Sequence, residues 1–158
     1  MFNIPLKKIA FTFPYKLPPG LRKKSQKGID VQKYPLLPIV LYSKTKKTKV
    51  IEALIDSGSD LIHINKQIAE YLQLHRGKEF ESSGMGGKYT TYETSVGLII
   101  GRGGREVDFG YVTAMFPKLE LDVPILIGRK PVFEEYQIIF EEFKERFKLI
   151  PKEEVLKL

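Results

Sequence analysis

The apolar residues of this chain fall into short runs separated by polar or glycine-containing segments. Two dense runs, Leu36–Tyr42 and Lys49–Ile55, flank six polar residues, a pattern that predicts a hairpin of buried strands. Further along, a two-residue period indicates two more strands joined by a Gly101–Gly104 turn. The positions with this period are Thr90, Tyr92, Thr94, Val96, Leu98 and Ile100, then Val107, Phe109, Tyr111 and Thr113. Many short strands of this kind predict a mostly β fold, a small barrel or a sandwich.

Helical signals are few, so we expect one or two short helices. Apolar residues recur at helical spacing at Ile64, Ile68, Tyr71 and Leu72. Asn65 is the predicted N-cap of this helix, and Gly77 is the predicted stop. Pro131 lies in the first turn of a second helical segment, predicted over residues 130–136.

The two ends of the chain carry weaker signals. Residues 138–150 fit both the helical period and the two-residue period of a strand. Phe140, Phe143 and Phe147 have helical spacing, whereas Phe147 and Leu149 alternate with charged residues. We favour strand there. A short strand is also predicted near residues 8–13, followed by an irregular, proline-broken segment.

Charge is distributed unevenly along the chain. Residues 1–49 hold 12 Lys and Arg against Asp30 alone, a net of +11, and the remainder holds 14 against 18, a net of −4. We therefore divide the chain into a basic arm, residues 1–33, and a folded domain, residues 34–158. A solvated, lysine-rich surface is the preferred interpretation of the arm, and binding to RNA or to an acidic protein is the alternative.

Composition excludes several classes of function. The chain has no cysteine, which removes disulfides, thiolate zinc sites and cysteine nucleophiles and fits a reducing compartment. His63 and His75 are poorly spaced for a metal, and we interpret His63 as a packing or helix-entry residue. No apolar run reaches the roughly 20 residues of a membrane span. We expect a cytoplasmic protein with no metal, no cofactor and no membrane partner.

Asp56 is the residue most suggestive of chemistry. It ends a buried apolar run and begins a turn that contains Gly58, in the order Asp56-Ser57-Gly58. Burying an acid is costly, and two carboxylates placed side by side tend to share one proton. Such a pair is able to act as general base and general acid at once.

The chain resembles the retropepsins, the retroviral-type aspartic proteases and their cellular relatives, over about residues 36–136. Three ordered motifs carry the resemblance: Asp56-Ser57-Gly58, the glycine-rich segment Gly84-Met85-Gly86-Gly87, and Ile125-Leu126-Ile127-Gly128-Arg129. The resemblance implies that Asp56 is catalytic and that Ser57 and Gly58 support it. It also implies that residues 84–87 form a substrate-covering flap, and that Asp60, Gly128 and Arg129 brace the site, with Asp60 and Arg129 as an ion pair.

The resemblance further implies an obligate two-fold dimer, since the chain has one Asp-Ser-Gly triplet and a pair of carboxylates needs two. The expected function is hydrolysis of peptide bonds in polypeptides by a homodimeric aspartic endopeptidase. The alternative is a catalytically inactive dimer of the same fold that binds RNA or an acidic protein through its basic arm, with nucleic acid the less favoured partner. Asp108-Phe109-Gly110 matches a kinase triplet in letters only, because it lies in a predicted strand.

Overall fold

A computed structural model describes residues 8–18, 32–84 and 87–157, and these ranges are mostly β, as predicted. The strands are β1 (Phe11–Pro14), β2 (Leu36–Tyr42), β3 (Ile51–Ile55), β4 (Ile62–His63), β5 (Glu79–Gly84), β6 (Gly87–Arg102), β7 (Arg105–Pro117), β8 (Leu126–Ile127), β9 (Tyr136–Glu141) and β10 (Arg146–Pro151). The helices are α1 (Lys66–Tyr71) and α2 (Lys152–Val155), with helical turns at Arg129–Phe133 and Glu142–Lys144. None of the helices in the described ranges has the length and apolarity to cross a bilayer.

Six strands close into a barrel. They follow the order β2-β3-β8-β4-β7-β6, and β6 pairs back onto β2 to complete the ring, with β5 added outside it on β6. The predicted hairpin of β2 and β3 is present, antiparallel, with Leu36 opposite Leu54. The pairing of β3 with β8 is parallel and joins segments some 70 residues apart in the chain. The mostly β fold is confirmed, and of the barrel and the sandwich the structure has the small closed barrel that the resemblance to retropepsins implies.

Helix α1 begins where the sequence predicts and ends earlier. The Asn65 side chain accepts a hydrogen bond from the Ile68 backbone N–H at 2.8 Å, which makes it the N-cap. The helix ends at Tyr71, and Gln73 adopts a left-handed backbone (φ +56°). The predicted stop at Gly77 is therefore wrong. Gly77 lies against β6 instead, where an added Cβ would come 2.6 Å from the carbonyl oxygen of Glu93.

Strand β7 departs from the predicted alternation because it contains a β-bulge. Leu98 pairs with Gly110, but the next residue of β6, Ile99, pairs with Asp108, so Phe109 is an extra residue. One extra residue reverses which side chains face the core. Beyond the bulge Val112, Ala114 and Phe116 pack against the core, and Tyr111 and Thr113 are exposed. The prediction that Tyr111 and Thr113 share the core-facing side of β7 with Val107 is therefore wrong, because both lie beyond the bulge.

A second, three-stranded antiparallel sheet has the order β1-β10-β9. The strand interpretation of residues 138–150 is confirmed, and the strand near the amino end is present at Phe11–Pro14. Phe147 and Leu149 are fully buried, and Phe11 and Tyr15 pack in the same hydrophobic cluster as the barrel interior. The sheet and the barrel thus share one core.

Candidate active site

Asp56 lies where β3 leaves the barrel. The backbone N–H of Leu54 donates to the carbonyl oxygen of Ile125 at 2.8 Å, and the N–H of Asp56 donates to that of Ile127 at 3.0 Å. The strand is thus held to β8 up to and including Asp56. Because these bonds are formed by the backbone within a buried sheet, they set the position of the Asp56 Cα independently of its side chain.

The turn after Asp56 wraps around its carboxylate. The N–H of Gly58 donates to Asp56 Oδ1 at 2.9 Å, and the N–H of Ser59 donates to the Asp56 carbonyl oxygen at 3.2 Å. An added Cβ at Gly58 would lie 3.1 Å from Asp56 Oδ1, so a glycine leaves the carboxylate room. In the single chain, with no partner beside it, Asp56 is half-buried, and Ser57 and Gly58 are exposed. The triplet presents its functional groups outward from the barrel.

The segment after β8 locks onto the same turn. The N–H of Arg129 donates to the Ser59 carbonyl oxygen at 2.8 Å, and the N–H of Lys130 donates to that of Asp60 at 2.9 Å. The Arg129 guanidinium also forms an ion pair with the Asp60 carboxylate, a contact that the sequence resemblance implied. These two side chains are 58% and 75% exposed, and pairs at that exposure contribute about 0–1 kcal/mol. The backbone bonds are thus the main connection, and the ion pair orients the side chains.

Gly128 is required by the close contact between these segments. An added Cβ would lie 2.3 Å from the carbonyl oxygen of Leu61 and 2.6 Å from that of Ser59, both of them backbone atoms. We predict that Gly128→Ala lowers the free energy of unfolding by about 3 kcal/mol, since overpacking against backbone forces the turn to shift. Chemical denaturation measures this. Lys130→Ala, at an exposed neighbour, is the control and should change stability by less than about 0.5 kcal/mol; equal effects of the two changes would contradict the prediction.

The sequence predicts that His63 is a helix-entry or packing residue. In the structure it lies in strand β4, before helix α1. It is a half-buried strand residue between Ile62 and Ile64, which are both buried. Burial lowers the pKa of His63, and the negative charges of Asp56 and Asp60 oppose that shift in part. His63 lies on β4, which β8 alone separates from β3, the strand that ends at Asp56. The apolar-polar-apolar order of residues 62–64 is a strand signal that was available in the sequence.

Strands β5 and β6 form the hairpin that carries the glycine-rich segment. Their pairing runs to Gly84 opposite Gly87, and the hydroxyls of Ser82 and Thr91 hydrogen-bond across the hairpin at 3.0 Å. Gly87 has a φ of +97°, which favours glycine there. The predicted flap residues Met85 and Gly86 lie outside the described residues.

A groove of about 560 Å³ lies elsewhere, between β7 and the helical turn after Arg129. Lys8, Tyr111 and Pro131 are among the residues that line it, and Asp56 is not. The candidate carboxylate thus lies outside this groove.

Comparison with known proteins identifies the fold. No protein-family model and no curated protein sequence matches the chain. A solved retropepsin-like aspartic protease from Rickettsia conorii aligns with 90% of this chain and 100% of its own, at a TM-score of 0.55 and 14% identity. EIAV protease complexed with the inhibitor HBY-793 aligns with 67% of this chain and 91% of its own, at a TM-score of 0.43 and 18% identity.

Proposed function

Since the chain has a retropepsin-like fold, we propose that it is an aspartic endopeptidase in which Asp56 of two identical chains forms the catalytic pair. One observation carries the proposal. The only Asp-Ser-Gly triplet of the chain lies at the end of a barrel strand, with its carboxylate outward and its backbone held by β8 and by the segment that begins at Arg129. Such a site is rigid but supplies one carboxylate, so it is incomplete without a second copy.

The proposed chemistry uses one proton shared between the two Asp56 carboxylates. The ionised carboxylate takes a proton from a water molecule, and the water oxygen attacks the carbonyl carbon of the peptide. The other Asp56 gives its proton to the carbonyl oxygen, which forms a tetrahedral diol. Proton transfer to the amide nitrogen then allows the C–N bond to break, leaving a carboxylic acid and an amine. No metal or cofactor is needed in this scheme.

Neighbouring groups have supporting roles in this proposal. The Gly58 N–H stabilises negative charge on Asp56 Oδ1, and we assign to the exposed Ser57 hydroxyl a bond across the proposed two-fold axis to the partner backbone. Asp60, Gly128 and Arg129 keep the turn in place. The hairpin of β5 and β6 acts as the flap that covers the peptide and excludes water.

We assign the free edge of β9 to the dimer interface. Among the described residues, β9 pairs with β10 on one side, and its other edge has no strand partner. It begins at Tyr136, shortly after the helical turn Arg129–Phe133, so it is connected through a few residues to the segment that holds the Asp56 turn. Phe140 on this strand is opposite Phe147 of β10, so the two rings share a face of the sheet. Phe147 is buried, but Phe140 is 45% exposed. A second β9 paired antiparallel would cover the edge and this ring.

We therefore predict that Phe140→Glu weakens the dimer by at least about 100-fold, since two like charges would face each other near the symmetry axis. Sedimentation velocity over a range of concentrations measures the dissociation constant. Val50→Glu is the matched control. Val50 is 46% exposed and lies between β2 and β3, outside the sheet that contains β9. Phe140→Glu dimers as tight as those of the control would refute the β9 interface.

Digestion of a peptide library across pH, with and without a pepstatin-type transition-state mimic, tests the function itself. We expect cleavage that the mimic inhibits. Cleavage that resists the mimic would rule out the mechanism. Absence of cleavage from about pH 3 to 7, with the dimer intact, would favour the inactive binding module instead.

A further inference from the structure

One face of the sheet beside Asp56 carries a row of side chains that point away from the barrel core. Leu54 of β3 is opposite Leu126 of β8, Leu126 is opposite His63 of β4, and His63 is opposite Met115 of β7. Residues opposite each other share a face of the sheet. The residues of the other parity, Ile55, Ile127, Ile62 and Ala114, all belong to the core cluster, whereas no member of the row does, although Met115 is itself buried. The row therefore lies on the outer face, and His63 is its only ionisable member among these four strands.

Asp56 belongs to this face as well. It follows Leu54 by two residues, and its N–H continues the pairing with β8, so its side chain projects on the same side as Leu54. Strand β8 alone separates β3 from β4, so Asp56 and His63 lie on the same face about two strand spacings, roughly 10 Å, apart. The negative charge of Asp56 opposes the lowering of the His63 pKa. The row of Leu54, Leu126 and His63 is thus the surface that lies next to the carboxylate.

The charges around His63 are mostly negative. Asp56 and Asp60 both act on it, and Glu93 of β6 lies further along the same row, opposite Met115. Arg129 is the cation nearby, and it is already paired with Asp60. The neighbours of His63 within the row are apolar. A substrate carboxylate placed on this surface would meet repulsion from the aspartates unless an imidazolium offset it.

We propose that His63 is a specificity-determining residue of the peptide cleft, which accepts an Asp or Glu side chain of the substrate beside its imidazole. The inference rests on the proposed peptidase function. Its physical basis is a charge-assisted hydrogen bond from the protonated ring to the substrate carboxylate. Because burial lowers the pKa of His63 from its usual value, the ring gains its positive charge only at a lower pH than an exposed histidine does. The preference for acidic substrates therefore strengthens as the pH falls, until the substrate carboxylate itself is protonated.

The test is cleavage profiling of a peptide library at about pH 5 and about pH 7, followed by kcat/KM for peptide pairs that differ only by Glu or Gln at the selected position. For the wild type we expect the Glu/Gln ratio of kcat/KM to be larger at the lower pH. His63→Gln and His63→Val should lower that ratio about tenfold at the lower pH, while the Gln peptide is still cleaved. His75→Gln, at the exposed second histidine, should leave the ratio unchanged.

The outcomes separate the two proposals. A Glu/Gln ratio that is the same in the wild type and in both His63 variants would overturn this inference and leave the peptidase function intact. A library that none of the proteins cleaves would end the peptidase function, and the inference with it. Cleavage of the Gln peptide by the variants shows that they are folded, so a lost preference cannot be attributed to unfolding.

Discussion

Asp56→Asn should lower kcat/KM for peptide hydrolysis by at least about 10⁴-fold while leaving the chain folded and dimeric. In the proposed dimer, one substitution changes both members of the catalytic pair. An amide neither takes a proton from water nor holds a shared proton, so both the general base and the general acid are lost. The amide oxygen is still able to accept the Gly58 N–H bond that Oδ1 accepts at 2.9 Å, so the turn should persist. Steady-state kinetics on a cleaved library peptide, together with sedimentation, measures both effects.

The chain contains a matched control for this substitution. Asp108 Oδ1 accepts the N–H of Gly110 at 2.7 Å, the same Asp-x-Gly turn geometry as at Asp56. It also accepts the hydroxyl of Tyr42 at 2.8 Å. Asp108→Asn keeps an acceptor oxygen for both donors and should retain full activity. Substantial cleavage by Asp56→Asn, or an equal loss in Asp108→Asn, would refute the assignment of the catalytic carboxylate.

Phe147→Ala is the substitution expected to cost the most stability, about 3–5 kcal/mol. The ring is fully buried, and its centroid lies 5.6 Å from that of Phe13 and 6.3 Å from that of Tyr15. Removing it leaves a cavity where the second sheet meets the barrel. Urea denaturation at one fixed protein concentration measures the loss, since dimerisation makes stability depend on concentration.

Phe143→Ala makes the same chemical change in the helical turn Glu142–Lys144 that follows β9, and it serves as the control. Phe143 is 83% exposed, so its truncation should change the free energy of unfolding by less than about 0.5 kcal/mol. A small effect of Phe147→Ala would mean that the second sheet does not share the core of the barrel. The dimer interface proposed for β9 would then lose its rigid connection to the site.

Local patterns in the sequence were sufficient for much of the fold. The hairpin of β2 and β3, the Asn65 cap and the strands within residues 138–150 were all predicted correctly. Each depends on residues close together in the chain, where apolar period, turn residues and capping side chains act directly on the backbone. The position of Asp56 at the end of a strand was also predicted from the residues next to it in the sequence.

The sequence did not predict the features that depend on contacts between segments far apart in the chain. The bulge at Phe109 reverses the faces of β7. Gly110 beside it (φ +70°) is a local signal for a bulge, but only the pairing with β6 shows which residue is the extra one. Gly77 and Gly128 are glycines because of the backbone of Glu93 and of Leu61, which lie well away in sequence. His63 was interpreted as a packing or helix-entry residue, and only the pairing of β4 between β7 and β8 shows that it shares a sheet face with the residues beside Asp56.

The sequence by itself predicted most of the longer strands, where the α1 helix begins, and that one Asp-Ser-Gly triplet is available per chain, but it did not predict strands β4 and β5. The tertiary structure decided which strands are neighbours, which faces are buried and which side chains lie beside Asp56. The physical reason is that propensities and turns act within a few residues, whereas register and close backbone contacts are set between segments that meet only when the barrel closes.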